Sequence, residues 1–390
     1  MKSKSATLED VARHAGVSYQ TVSRVLNKSA NVSEATRRKV EKSIELLRYV
    51  PNRLAQQLVG KQSRTVGLVT ISLSLHAPSQ VAAAVKRYAN VEGYQVLISM
   101  IDESVNQSIQ ESINELKSQL VDKVIINVPL ETEQAQKIAA DNDDIVCLFL
   151  DVDPYSSVFN VSFNPADGTR ASVKYLYEMG HREIALLAGP ESSVSAKLRL
   201  KSWIETLAGY GLQPVTVIRG NWDAQSGYAG ALQMLRETPK FTAVLVGNDQ
   251  MALGVLSAFH QHQVPIPGEK SVIGYDDTYE SSFFYPALTT VSLDLDLQGK
   301  EAVRRILDSG DSETSHTSSI LPARLVVRHS TGPKNGAGER PTGHCRTAAC
   351  ACSSTESLIS HGRFAPLDFS SPSFSWLIFV FLRRNLIVML

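Results

Sequence analysis

The sequence predicts an α/β protein: an N-terminal three-helix head built on a helix-turn-helix, followed by a bilobal core of two parallel sheets flanked by helices. Three observations carry this. From Thr7 to about Arg48 apolar residues recur at helical spacing, with a glycine between the first two segments. From Thr65 onward, short apolar β-rich runs alternate with helix-like stretches, the pattern of parallel strands covered on both faces. Charge is also divided. Residues 1–62 hold twelve Lys/Arg against five Asp/Glu, a net +7, in a chain whose formal charge is zero, so the remainder is −7.

The head is the most legible part. Leu8, Val11 and Ala12 form an apolar stripe. Thr7 precedes it with Asp10 three residues on, a capping-box-like start. Gly16 ends the helix, because it alone takes a positive φ without penalty. Ser18 caps a second helix in which Val22, Val25 and Leu26 face inward. Its outer face shows Tyr19, Gln20, Thr21, Ser23 and Arg24, hydrogen-bonding groups with a cation, suited to base edges and phosphates in a major groove. An ordinary solvated helical hairpin has the same local pattern, but a basic module on an acidic body is the footprint of a DNA-binding head. A third helix is expected from Glu34 to about Arg48, with Val40, Ile44 and Leu47 inward. Its Arg37, Arg38 and Lys39 either meet phosphates or form a solvated face. Tyr49-Val50-Pro51 then breaks the helix. Asn52 to Gln62 is too short to be a stable helix alone. It is a linker, or a hinge that folds only against a second copy or DNA, with Leu58 as an apolar wedge for the minor groove.

Eight strand-like runs follow: Val66–Ile71, Val96–Met100, Val124–Val128, Ile145–Val152, Ile184–Ala188, Val215–Ile218, Ala243–Val246 and Val272–Tyr275. Helix-like stretches between them include Gln80–Asn90, Gln107–Gln119, Thr169–Met179, Ala224–Arg236 and Met251–Gln261. About 270 residues is long for one doubly wound sheet, so two lobes are expected. Ligands in such sheets bind beyond the carboxyl ends of strands. There the chain places Asn127, Asp151, Asn248-Asp249-Gln250 and Asp276-Asp277, with Ser195 and Arg199 after Gly189, and Trp222 after Gly220. Amides, carboxylates and a guanidinium converging with an indole face suit a sugar. Taken singly, such residues equally cap helices or make turns. Asp276 and Asp277 are adjacent and point to opposite faces of a strand, which argues against a paired acid and base. No phosphate loop, zinc-type His spacing or nucleophile elbow is present. No cofactor, no metal site and no catalytic residue are expected. His76 reads as a packing or hydrogen-bonding residue.

Composition frames these expectations. A length of 390 residues suggests two or three domains, and 43% apolar residues supports a substantial core. MKSKSATLED lacks the apolar stretch of a secretory signal, and no run approaches the roughly 18 apolar residues of a membrane span. Cys147 lies alone in an apolar run, and Cys345, Cys350 and Cys352 lie in the tail. Together these predict a reducing, cytoplasmic setting without disulfides.

TLEDVARHAGVSYQTVSRVLN, YVPNRLAQQLVGKQ, LHAPSQ, IALLAGP, SSVSAKLRL, NDQMALG, VIGYDDT and PALTTV together resemble the LacI-type family of bacterial transcriptional regulators, over about residues 5–332. The resemblance implies a homodimeric, sugar-responsive repressor of a pseudo-palindromic operator, with a core similar to periplasmic sugar-binding proteins. It implies that Tyr19, Gln20 and Arg24 read bases. Thr7, Ser18, Thr21, Ser23, Asn27, Ser33 and Thr36 match backbone-contacting positions, and Asn52, Ala55, Gln56 and Leu58 the minor-groove hinge helix. The effector pocket carries over as Leu75, Ala77, Pro78, Asn127, Asp151, Ser195, Arg199, Trp222, Asn248, Gln250 and Asp276. Three positions depart from the family's galactoside-responsive pattern: Ile71 stands for a Ser, Glu103 for an Arg and Leu295 for a Phe. A small sugar is the expected inducer, a galactoside first.

The expected division is a DNA-binding head over residues 1–48, hinge and linker over 49–64, a sugar-binding and dimerisation core over 65–333, and an atypical disordered tail over 334–390. That tail lacks the sustained heptads that join related dimers into tetramers, so a dimer is expected. The Cys345, Cys350, Cys352 spacing is not that of a strong zinc site.

Overall fold

The structure is a computed structural model that describes residues 6–26, 31–50, 63–101, 108–309 and 318–334. Asn27, Asn52, Ala55, Gln56, Leu58, Glu103 and the tail beyond Lys334 lie outside the described residues.

The head contains α1 (Leu8–Ala15), α2 (Tyr19–Leu26) and α3 (Glu34–Leu46). Thr7 closes a capping box with Asp10. Its hydroxyl donates to Asp10 Oδ2 at 2.7 Å and accepts from the Asp10 N–H at 3.2 Å. Gly16 adopts φ 63° and sends its N–H back to the Ala12 and Arg13 carbonyls, turning the chain into α2. Val11, Ala12, Ala15, Val22, Val25 and Val40 form the head's own buried cluster, with Leu26, Ile44 and Leu47 packed around it. His14 adds a polar tie to α3, its Nδ1 lying 3.0 Å from Ser43 Oγ.

The core begins with β1 (Thr65–Thr70), α4 (His76–Val91), β2 (Gln95–Met100), α5 (Ile109–Ser118), β3 (Lys123–Asn127), α6 (Thr132–Asp141) and β4 (Val146–Phe149). These strands make a four-stranded sheet in the order β2-β1-β3-β4, parallel throughout. A short strand, β5 (Val161–Phe163), leads into α7 (Pro165–Glu178) and the second lobe. There follow β6 (Ile184–Ala188), α8 (Val194–Gly209), β7 (Thr216–Arg219), α9 (Ala224–Glu237), β8 (Ala243–Val246), α10 (Asp249–Gln261), β9 (Ser271–Asp276) and β10 (Thr289–Leu293). The chain then returns through α11 (Leu295–Asp308), which packs on α4, before β11 (Ser319–Leu321) and β12 (Ala323–Val326). The second sheet has the order β12-β10-β9-β8-β6-β7. The fold is therefore the expected α/β bilobal core with a helical head, with two corrections: the outer strand β12 runs antiparallel to β10, and β11 pairs with β5 in a separate two-stranded sheet.

Three helices are absent from the sequence reading. These are α6, α8, which carries the SSVSAKLR segment, and α11. Ser193 starts α8 by accepting the Ala196 N–H at 3.3 Å, and its Trp203 side chain is buried. β5, β10, β11 and β12 are also absent from it, β5 and β11 being three residues each. Cys147 is a free, buried thiol in β4 whose pKa burial pushes up to about 12. Among the described residues no helix is long and apolar enough to cross a membrane.

The segment after β12 straps the second lobe. Ser330 Oγ donates to the Val272 carbonyl at 2.6 Å, and the Gly332 carbonyl lies 3.0 Å from His181 Nε2. His181 is buried, with Nδ1 against Thr242 Oγ1 at 3.0 Å. Burial holds its pKa below the ordinary value, with Lys334 and Arg182 acting the same way and the Gly332 hydrogen bond and Glu183 opposing. A histidine depressed on folding contributes stability that is present above its unfolded pKa of about 6.5 and lost as pH falls through it. The thermal midpoint is thus expected to drop between about pH 7.5 and 5.5, and His181→Gln to flatten that drop. An unchanged slope in this variant would exclude His181 as its source.

Candidate functional sites

The outward face of α2 presents Tyr19, Gln20 and Arg24 to solvent, with Thr21 and Ser23 half-buried beside them. Tyr19 is 55% exposed. Ser18 and Ser33 start their helices in the same way. Ser18 Oγ accepts the Thr21 N–H at 3.2 Å, and Ser33 Oγ accepts the Thr36 N–H at 3.3 Å. Thr7, Ser18 and Ser33 thus place three helix N-termini, with their N–H dipoles, on the head. Arg38 pairs with Glu34 at 3.1 Å along its own helix, which is the arrangement of a solvated face.

Between the lobes lies a cavity lined by Ile71, Ala77, Pro78, Asn127, Asp151, Ser195, Arg199 and Leu295, among others. Asn127 ends β3, Asp151 follows β4, and Ser195 and Arg199 lie on the first turns of α8, so each lobe supplies polar groups from beyond its strands. Arg199 organises the second-lobe wall. Its Nη1 donates to the Gly247 carbonyl at 2.6 Å, and its Nη2 lies 3.7 Å from Asp276 Oδ1. The guanidinium carbon sits 3.9 Å from the Tyr275 ring centre and 5.6 Å from that of Trp222. Asn248 caps α10 and donates through Nδ2 to the Trp222 carbonyl at 2.9 Å. Gln250 Oε1 accepts the His76 N–H at 3.5 Å, joining the lobes. Leu75 caps α4 immediately before His76. The eleven pocket positions named from the sequence are therefore gathered around one interlobe region: six line the cavity directly, and Leu75, Trp222, Asn248, Gln250 and Asp276 adjoin it. Ile71 and Leu295 both line the wall.

The electrostatics are unusual. Asp276 is buried, and desolvation pushes its pKa up to about 7, with Arg199 opposing and Asp249 reinforcing. Asp151 is also raised by desolvation, against a Ser195 hydrogen bond and Arg199. Two atoms here are buried without hydrogen-bond partners, Asn127 Nδ2 and Asp276 Oδ1. A buried donor or acceptor without a hydrogen bond costs about 1–3 kcal/mol; Asn127 lines this cavity, whereas Asp276 lines the neighbouring one with His76 and Asp277 and has the Arg199 guanidinium 3.7 Å from its Oδ1. Trp222 (φ 79°) and Asp276 (φ 112°) both hold the left-handed region, a strain that collects at ligand sites. Asp277 turns away to Arg328 Nη2 at 2.6 Å. Asp249, singled out with its neighbours, faces inward and accepts from Ser281, Thr290 and the Thr278 N–H. That network ties α10 to β10 and gives it a structural place.

Sequence reasoning missed Phe163, Tyr275, Leu198 and Gln298, which also line the cavity. Tyr275 was hidden by the pleat, which puts it opposite Asp276. The left-handed φ of Asp276 breaks that alternation, and both residues meet Arg199. Gln298 sits on the unrecognised helix α11.

Known proteins share this layout. A family model described as bacterial regulatory proteins, lacI family, matches residues 7–52, and one for a periplasmic binding protein-like domain matches residues 173–331. The lactose operon repressor of Klebsiella pneumoniae is 45% identical over 340 residues, 87% of this chain and 96% of that protein. The lactose operon repressor of Escherichia coli (strain K12) is 44% identical over 328 residues, 84% of this chain and 91% of that one. A crystal structure of the lac repressor dimer bound to operator and the anti-inducer ONPF aligns with a TM-score of 0.80 at 44% identity, covering 84% of this chain and 100% of that one. A complex of the transcriptional regulator CelR with cellobiose aligns with a TM-score of 0.60 at 29% identity, covering 83% and 99%.

Proposed function

The chain belongs to the lacI family of bacterial regulatory proteins, and from that premise we propose that it is a sugar-inducible repressor of the lactose-operon type. It binds a pseudo-palindromic operator as a homodimer, and a small sugar, a galactoside first, releases it. It is not an enzyme: its relatives over nearly their whole length are repressors. The observation that carries the reading is the interlobe cavity on which Asn127, Asp151, Ser195 and Arg199 converge, in a chain whose head exposes Tyr19, Gln20 and Arg24.

In this reading Tyr19, Gln20 and Arg24 contact base edges. Thr7, Ser18, Thr21, Ser23, Asn27, Ser33 and Thr36 contact the backbone. Asn52, Ala55, Gln56 and Leu58 enter the minor groove at the centre of the site. The sugar occupies the cavity between Leu75, Ala77, Pro78 and Asn127 on one lobe and Ser195, Arg199, Trp222, Asn248 and Asp276 on the other, with Asp151 and Gln250 at the junction. A ligand touching both lobes favours the lobe arrangement that it fits, and only that differential affinity moves the head. Operator DNA then weakens sugar binding by the same factor. Acting on the chromosome places the protein in the cytoplasm.

The test is operator binding by the full chain at fixed salt, with and without galactosides and glucosides; the cellobiose complex of CelR motivates the glucosides. Release by one sugar is the expected result. Tight operator binding that no sugar relieves would overturn the sugar reading and leave the DNA reading intact. Arg24→Ala is expected to weaken operator binding by about 1–3 kcal/mol and to relax preference at one base pair. Equal loss on all DNA sequences would reassign Arg24 to phosphate.

A further inference from the structure

We propose that Gln298 is a specificity-determining residue of the cavity, its amide oxygen accepting a hydrogen bond from one hydroxyl of a neutral sugar effector. The inference rests on the sugar-repressor reading above. Gln298 lies one turn into α11, is 4% exposed, and lines the same cavity wall as Leu295. Its Nε2 donates to the Leu150 carbonyl at 3.2 Å and to the Val161 carbonyl at 2.9 Å. Both acceptors lie on the segment that crosses from the first lobe to the second.

An amide nitrogen has two protons, and both are used. The orientation follows, since an amide oxygen turned toward two carbonyl oxygens would repel both. Oε1 must then point away from the crossover, and it has no hydrogen-bond partner among the described residues. It is not one of the atoms sealed from solvent without a partner, so the oxygen opens on the cavity that its side chain lines.

The wall around it makes this acceptor selective. Ile71, Ala77, Pro78, Val81 and Leu295 offer no polar side-chain atom on that side of the cavity. Ser162 also lines the cavity, its Oγ donating to the Leu150 carbonyl at 3.5 Å, so a hydroxyl reaching this wall meets Gln298 Oε1 or the Ser162 hydroxyl. A site built to receive a hydroxyl discriminates strongly against an analogue lacking it, because the protein acceptor is left dry and unpaired. Leu295 and Gln298 are three residues apart and so face one way. The wall that lacks the aromatic expected from the family pattern therefore carries an amide acceptor one turn on.

The experiment is a cycle between protein and ligand variants, using the full chain and isothermal titration calorimetry. The probe is the pyranoside found to release operator, with its monodeoxy analogues, one for each hydroxyl. Wild type is compared with Gln298→Met, which has a similar length and no hydrogen-bonding amide. The expected result is a roughly tenfold loss for the parent sugar on Gln298→Met, and no difference between the two proteins for one deoxy analogue. An equal loss for the parent and every analogue overturns the proposal and leaves Gln298 as a tie between strands. No loss at all overturns it too. If Gln298→Met does not fold, Gln298→Asn withdraws the oxygen by one methylene and serves in the same cycle. A wild type that holds operator yet binds no pyranoside refutes the sugar reading itself, a result distinct from either outcome in the variant.

Discussion

Asp276→Asn is expected to give a protein more heat-stable at pH 8 than the wild type and unresponsive to sugar. Burial raises the Asp276 pKa from 3.8 to about 7, so ionising it in the fold is unfavourable. Stability is highest below the unfolded pKa, falls as pH rises from about 4 to 7, and is flat above. Asparagine does not titrate. The difference in thermal midpoint between variant and wild type should therefore be small near pH 4 and reach its maximum above pH 7. At about 1.4 kcal/mol per pKa unit, the full difference is on the order of 2–4 kcal/mol, several degrees for a core of this size. Asp276 Oδ1 is also a buried acceptor without a hydrogen bond, 3.7 Å from Arg199 Nη2, and a donating sugar hydroxyl is its expected partner. Its replacement by an amide is expected to weaken sugar binding by roughly 100-fold or more, while operator affinity without sugar stays at the wild-type level. A lower midpoint at pH 8 for the variant would mean that the Arg199 attraction outweighs burial, and would sink the argument.

The same residue illustrates what the sequence could and could not disclose. The head was legible almost to the residue, because its signals are local: Thr7 with Asp10, Gly16 at positive φ, and an apolar stripe of Val11, Val22, Val25 and Val40. The central strands were legible because complete burial makes them continuously apolar, as in Ile184–Ala188. α8 and α11 were not. Each begins at a strand end with residues that read equally well as a loop, and each is held by contacts distant in sequence, Trp203 into the core in one case and Gln298 to Leu150 and Val161 in the other. The pocket's polar residues were visible as strand-end chemistry. What joins them was not, because the cation–ring contacts of Arg199 with Tyr275 and Trp222 depend on two left-handed residues that no local pattern announces. Leu75, Ala77 and Pro78 came from family resemblance alone, since apolar residues at a helix start carry no ligand signal of their own.

Arg199→Met is expected to do the opposite of Asp276→Asn. Arg199 is the cation that opposes the upward pKa shift that burial imposes on both Asp276 and Asp151. Its side chain is 12% exposed and that of Asp276 7%, so the pair is nearly withdrawn from water. Removing one member of such a pair leaves an uncompensated charge, and losses of about 3–5 kcal/mol are typical. Methionine keeps the packing against the Tyr275 and Trp222 rings, which confines the loss to the charge and to the hydrogen bond with the Gly247 carbonyl. Part of the loss is avoided by protonation, since the carboxyl pKa values rise further without the cation. The destabilisation should therefore be largest above pH 8 and shrink toward pH 5, as the carboxyls that Arg199 faces become neutral. The double variant Arg199→Met/Asp276→Asn separates the two effects. If the loss comes from stranding Asp276, the double variant should recover most of the stability that Arg199→Met gives up, with a coupling of about 1–3 kcal/mol. None of these variants should regain the sugar response, because each lacks the guanidinium, the carboxyl or both. Additive midpoints in the double variant would place the loss in the Gly247 hydrogen bond and the ring contacts, and would assign Arg199 to holding Trp222 over the cavity rather than to balancing its charge.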